Sequence, residues 1–491
     1  MSTTFLNAKT TTIIIAVVVF GFSLPLSARD SVALSEADLA TQWADDAEGL
    51  NQRALRENFP VLAAIIKKWH IPVPSDQINV FRIPNAILKP PEIVDPRATS
   101  IWEDFVRARE KRAEALFQLA VRSAQSHNIG PDFTQRSYQA IRLLSLVLRE
   151  NPSHKGARIA GGWVQRNGLW VWPEVAQRID KGEVWSETFG WLSRSHFNRY
   201  EDNKRYIRGM WVQASDKTDG PQRFDQSRIF FSDHWRIQSS ASYKQTALLA
   251  SEMEETFEIW RQVFGAFQLE PVGLERQFEG RATPTTRRSF DAVLTSNRQQ
   301  YIHEMGKLEP LISQTLGIYW NPSRTSWFFE GEDRTSTTVC HEATHQLFGE
   351  MRNTSPLAGE RCGFWALEAA ACFMESLQRT DFGWTVGGIE NGRVPAARQR
   401  LLLDDYYVPL EQLTRLGRRD FQSRDDLPPL YSQISGLADF FMTGSNGQYR
   451  EAFIEYLVRI YTGSANPDTL SRLCKADYES LDRQYRRHLS Q

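Results

Sequence analysis

Over residues 31–71 the apolar side chains Leu34, Leu39, Trp43, Leu50, Leu55, Leu62 and Ile65 return at roughly helical spacing, which predicts helix. Residues 89–96 are proline-rich and read as a linker or an irregular crossing. Two long helical patterns follow, over 100–128 and 132–150, and stop at Asn151-Pro152. Alternating tryptophans between Trp163 and Pro173, around Asn167-Gly168, predict a small hairpin. From about residue 205 the pattern turns to strands, at 206–213, 227–232 and 235–239. A long amphipathic helix over 243–267 then carries Leu248, Leu249, Met253, Phe257, Trp260 and Phe264 as its stripe. Strands at 289–295, 317–320 and 326–330 precede a helix that opens on the caps Thr335 to Thr338. Residues 365–375 form a second, strongly apolar helix. Turn chemistry at Asn353 to Pro356 and at Gly359 lets the two fold back on each other. Helices at 391–403, 431–443, 447–461 and 477–489 complete an α+β layout.

Composition changes this picture little. Of 491 residues, 41% are hydrophobic and 24% charged, ordinary globular values for a chain of two or three domains. With 58 basic against 59 acidic residues, the net charge of -1 argues for no nucleic acid or anionic membrane partner. The basic runs at 398–400, 415–419 and 486–488 read as solvated helix faces.

The N-terminus adds more. Lys9 precedes an apolar run over 13–26, and Ser27-Ala28 then meets Arg29-Asp30, the anatomy of a secretory signal cleaved after Ala28. An uncleaved anchor fits less well, because the run is short for a bilayer and Pro25 interrupts it. The expectation is an exported chain, periplasmic, cell-surface or extracellular, with no membrane partner once the signal is removed. Its division is a signal peptide over 1–28, a helical region with the Trp-rich hairpin over 29–200, and a second domain over 201–491. Four cysteines, Cys340, Cys362, Cys372 and Cys474, are too few for a disulfide framework, although one Cys362–Cys474 bridge is open. Cys340 and Cys372 read as buried thiols.

The chemistry lies in His341-Glu342-Ala343-Thr344-His345. Residues four apart on a helix share a face, so both imidazoles reach one metal ion. Val339, Cys340, Ala343, Leu347, Phe348 and Met351 form the apolar arc; His341 and His345 fall just beyond its edge, where a cleft would be. Glu342 is placed as general base toward a bound water. A third histidine is excluded at the metzincin spacing, where Phe348 and Met351 stand. Glu368, on the following helix, completes a His₂Glu set for one Zn²⁺. The sequence leaves open whether another divalent ion is preferred.

His-Glu-Ala-Thr-His-Gln-Leu followed by the Trp365-x-x-Glu368 helix resembles the peptidase MA-like gluzincin family, bacterial secreted proteins of unassigned function. The resemblance takes in Gly317 to Trp320, Trp327 to Phe329 and the segment Tyr431 to Leu437, and covers roughly residues 205–490. It implies a gluzincin-type zinc metallopeptidase domain acting on a peptide or protein substrate, with His341, His345 and Glu368 on the metal. Glu342 and Tyr431 are then catalytic, Tyr431 as a hydrogen-bond donor to the oxyanion. The chain departs from the family at Leu367 and Ala369, which flank the third ligand. Thermolysin-like gluzincins carry Asp four residues after that ligand; here Cys372 stands, so a ligand-orienting carboxylate is missing from that position. Upstream, Leu143-Leu144, Val147-Leu148 and Asn151-Pro152 resemble half a tetratricopeptide repeat. One or two such units are too few for an array, so a helical hairpin packed on the second domain is the preferred reading, with a protein partner there as an option.

Three functional expectations follow: a secreted zinc peptidase, a non-catalytic binding or scaffolding protein on the same fold, and, on tryptophan abundance alone, a carbohydrate-active enzyme. His70, His234 and His303 are weaker ligand candidates. Residues 326–330 are expected at the sheet edge, where an extended substrate pairs.

Overall fold

The computed structural model describes residues 35–69, 76–83, 95–125, 133–207, 209–281 and 288–491. The expected signal segment 1–28, most of the proline-rich stretch and His70 lie outside them. The first helical region is two helices, α1 (Glu36–Arg56) and α2 (Pro60–Trp69). Ser35 caps α1 in a reciprocal capping box with Asp38. Asn58 breaks the run with φ 67°, a left-handed turn that asparagine tolerates. The strand β1 (Ile78–Phe81) precedes α3 (Pro96–Gln125) and α4 (Phe133–Glu150), which pack as a helical hairpin. At the end of α4 the Glu150 carboxylate, fully buried, meets Arg109, Arg112 and Arg149.

After α5 (Lys155–Ala160) the chain makes a hairpin and a helix twice and then begins a third such unit. The units are β2 (Val164–Arg166), β3 (Leu169–Val171) and α6 (Pro173–Asp180); β4 (Glu183–Ser186), β5 (Gly190–Ser193) and α7 (Arg194–Glu201); and β6 (Lys204–Ile207), β7 (Met210–Gln213) and the single turn α8 (Asp216–Asp219). Gly162, Gly182 and Asn203, all at positive φ, open the three units, and Trp170, Trp191 and Trp211 sit at matching places. The period is roughly twenty residues, a tandem repeat. The stretch 206–213, expected as one strand, is therefore split between the two antiparallel strands of a hairpin, with Gly209 at positive φ just before the second. Its cross-strand pair Tyr206–Trp211 matches Trp185–Trp191 in the second unit.

A five-stranded sheet follows in the order β11-β12-β10-β9-β8, from β8 (Arg228–Phe231), β9 (Trp235–Ser239), β10 (Phe290–Thr295), β11 (Ile318–Trp320) and β12 (Thr325–Phe329). The central β10 is parallel to both β9 and β12, and the two outer strands run antiparallel to their neighbours. Between β9 and β11 lie α9 (Tyr243–Val263), α10 (Pro271–Phe278) and α11 (Arg298–Met305). Residues 326–330, expected at the edge, are second in the sheet: β11 folds back onto them through a turn at Asn321 to Ser323, with Arg324 left-handed at φ 51°. The burial of Ser326, Phe328 and Phe329 fits an inner strand. The edge next to the metal motif is β11.

The sheet leads into α12 (Ser336–Glu350) and α13 (Phe364–Met374). A three-stranded sheet β1-β14-β13 follows, with β13 (Gln378–Thr380) and β14 (Gly383–Val386). Seven helices close the chain: α14 (Val394–Leu402), α15 (Leu410–Arg415), α16 (Arg418–Gln422), α17 (Leu427–Gly447), α18 (Arg450–Tyr461), α19 (Thr469–Cys474) and α20 (Tyr478–Leu489). One apolar core runs from β1 through α9, α12 and α13 to α20. The architecture is mixed α and β with small sheets. All four cysteines are free, so the Cys362–Cys474 bridge is not formed. No described helix is long and apolar enough to cross a membrane.

Candidate metal centre

Thr335 caps α12 by accepting from the Thr338 amide, and the apolar arc then buries Val339, Cys340, Ala343, Leu347 and Phe348. His341, Glu342 and His345 are half-buried at its margin. Two further contacts fix the helix. Gln346 accepts from Trp235 Nε1 at 3.1 Å and Ser326 Oγ at 2.9 Å, and donates to the Asp291 carbonyl at 3.0 Å. At Gly349 any Cβ would lie 2.8 Å from the Tyr319 hydroxyl, so β11 sits directly on α12. Every residue of α13 is buried, and the helix packs on α12 and α17. Its Glu368 is 8% exposed, an ionisable group that burial would penalise without partners.

Those partners are present. His341 Nε2 and His345 Nε2 stand 3.1 Å apart, and Glu368 Oε2 lies 3.5 Å from the first and 3.6 Å from the second. Ligands bound about 2.0–2.1 Å from a tetrahedral ion are about 3.3–3.4 Å from each other, so this triangle has the size of one face of a zinc tetrahedron. The donor chemistry fits as well: two imidazole nitrogens and one carboxylate, within reach of one ion. Burial would raise the Glu368 carboxyl, but the His345 and His341 imidazoles hold it well below the usual range. Burial likewise disfavours the His341 cation, yet Cys372, Glu368 and Glu375 together raise its pKa well above the usual value.

Glu342 turns to β11, its Oε2 accepting from the Tyr319 amide at 2.7 Å. The Tyr431 hydroxyl, on α17, donates to Glu368 Oε2 at 3.1 Å. Burial, with Glu368 next to it, keeps that phenol protonated far beyond neutral pH. The four residues of the motif set and Tyr431 thus lie together. Among the other histidines, His234 pairs with Glu254 at 2.6 Å and stacks on Phe257, and His303 is exposed. The stacked Trp163–Trp172 pair packs under Arg261, between the first repeat unit and α9.

Two residues went unread in the sequence. Glu375 Oε1 lies 2.8 Å from His341 Nδ1, and Arg393 grips that carboxylate. The carboxylate missing at Cys372 is therefore supplied three positions later, seven after Glu368, two turns along the same helix face. That spacing was its signal. Cys372, 2% exposed, joins His341 and Glu375 in a second convergent donor set. No family model, curated protein or solved structure matches this chain.

Proposed function

We propose that this chain is an exported, zinc-dependent peptidase of the gluzincin type. The observation that carries the reading is the His341, His345 and Glu368 triangle with the Glu342 carboxylate beside it on the same helix. A zinc ion held by these three residues would supply Lewis acidity, polarising a peptide carbonyl and acidifying a water molecule. Glu342 takes the proton from the attacking water and passes it to the leaving amine. The Tyr319 amide holds one of its oxygens, which leaves the other to face the water. Tyr431 already points its hydroxyl into the site; donation to the developing oxyanion would need it to leave Glu368. β11 is the edge strand of its sheet, and with the Tyr319 amide engaged by Glu342 its remaining outward main-chain groups are those an extended peptide would meet.

A second reading, a binding protein that keeps the metal without chemistry, draws support from Cys372 and Ala369 where the family differs. One comparison separates the two. Glu342→Gln is expected to keep zinc and fold normally while losing about 10²–10⁴-fold or more in chelator-sensitive peptide hydrolysis. His345→Ala is expected to lose zinc on elemental analysis, since two ligands hold a tetrahedral ion poorly. Zinc-loaded wild type that cleaves nothing in a broad peptide library rejects the peptidase in favour of the binder.

A further inference from the structure

We infer that Arg393 is a positioning residue of the metal centre, acting on two of its ligands at once through Glu375 and Tyr431. The inference rests on reading His341, His345 and Glu368 as ligands. Arg393 precedes the first turn of α14, which packs along α17. Its Nε and Nη2 bind the two oxygens of Glu375 at 2.6 and 2.8 Å, a planar fork that fixes the carboxylate in orientation as well as in place. Glu375 in turn receives His341 Nδ1 at 2.8 Å. A hydrogen bond there puts the ring proton on Nδ1 and leaves the Nε2 lone pair for a metal.

The second arm is independent. The Arg393 guanidinium carbon lies 5.8 Å from the centre of the Tyr431 ring, within cation–π range. Tyr431 is the residue whose hydroxyl holds Glu368 Oε2. One guanidinium therefore backs a ligand from α12 and a ligand from α13, and it does so from a fourth helix. The Glu375 side chain is 5% exposed and that of Arg393 44%, so the inner partner is locked and the outer one reaches solvent. Replacing Arg393 opens no cavity in the core, and its effect is read at the metal.

The convergence of His341, Cys372 and Glu375 offers a rival, in which Glu375 is itself a ligand beside a thiolate. Zinc dissociation constants, measured on the full chain by competition with a chromophoric chelator at fixed pH, decide the role of Arg393. Arg393→Met and Glu375→Gln are each expected to weaken zinc about 10–100-fold, the usual cost of removing an outer partner. Arg393→Lys, which keeps charge but not the fork, should fall between them and wild type. The metal-free thermal midpoint of Arg393→Met should fall, because buried Glu375 loses its ion-pair partner, so the reading is the further rise on adding zinc, which should shrink relative to wild type. An unchanged dissociation constant in Arg393→Met overturns the inference. So does a thiolate-to-cobalt charge-transfer band in cobalt-loaded wild type, which would make Cys372 a ligand. Wild type that binds no zinc removes the metal-centre reading itself, a failure distinct from either.

Discussion

Glu258, on α9, shows how one side chain shapes the pH response of the fold. It is half-buried, accepts from the Ile83 amide at 3.2 Å, and burial raises its pKa from 4.5 to about 7. The folded state therefore holds this proton more tightly than the unfolded chain does. Its contribution is fullest below pH 4.5 and falls as pH rises toward about 7, then stays level. Glu258→Gln keeps the acceptor but never ionises. We expect it to match wild type near pH 4 and to be more stable at pH 8 by on the order of 2–3 kcal/mol, read from urea midpoints at the two values. Parallel pH profiles of the two proteins would count against this. At this scale the sequence was most legible where one helix carries the logic. His341, Glu342 and His345 follow from spacing alone, whereas Arg393 was invisible because its partner lies eighteen residues earlier and on another element.

At the scale of elements, what was legible was what buries itself by its own periodicity. The helices α3, α4 and α9 carry long stripes and were read close to their observed ends, and α12 begins at the expected cap. The strands β1, β13 and β14 span three or four residues, and their burial comes from partners distant in the chain, so no local pattern announced them. The tandem units were read as one hairpin and one strand because the repeat rests on single tryptophans and left-handed residues rather than on alternation. Within α12, Gln346 is the tie between helix and sheet. Gln346→Leu would strand the donors of Trp235 and Ser326, both fully buried. Each orphaned group costs about 1–3 kcal/mol, so for two we expect a loss of about 2–6 kcal/mol by chemical denaturation. A loss below about 1 kcal/mol would mean that these donors find other partners.

For the whole molecule, the decisive contact is between β1 and β14, which joins residues 78–81 to 383–386. Gln262 seals it by bonding both the amide and the carbonyl of Phe81, at 3.1 and 2.8 Å. Ile78, Val80 and Tyr138 belong to the same core as α12 and α13. A fragment beginning at residue 201 would leave β14 paired with β13 alone, its other edge bare, and open the face of α9 and α18 that α4 covers. We expect that fragment to be poorly soluble, and the full chain to lose near-ultraviolet circular dichroism of both halves in one transition. A well-folded fragment with native zinc affinity would argue against this coupling.

The donor in the hydrogen bond to Glu342 is the Tyr319 main-chain amide, so at position 319 only proline would remove it, and which residue supplies it depends on a length instead. The turn of Asn321 to Arg324 sets which residue of β11 faces Glu342. One additional residue there would slide the strand by one position and invert its faces, so the amide opposite the carboxylate would come from a neighbouring residue and the Tyr319 ring would leave its place against Gly349. The turn thus acts as a ruler for the site. A glycine inserted after Ser323 should abolish turnover with zinc still bound, whereas one inserted at the tip of the β6–β7 hairpin should leave turnover as it is; equal rates in both would show that the length of this turn carries no chemical information.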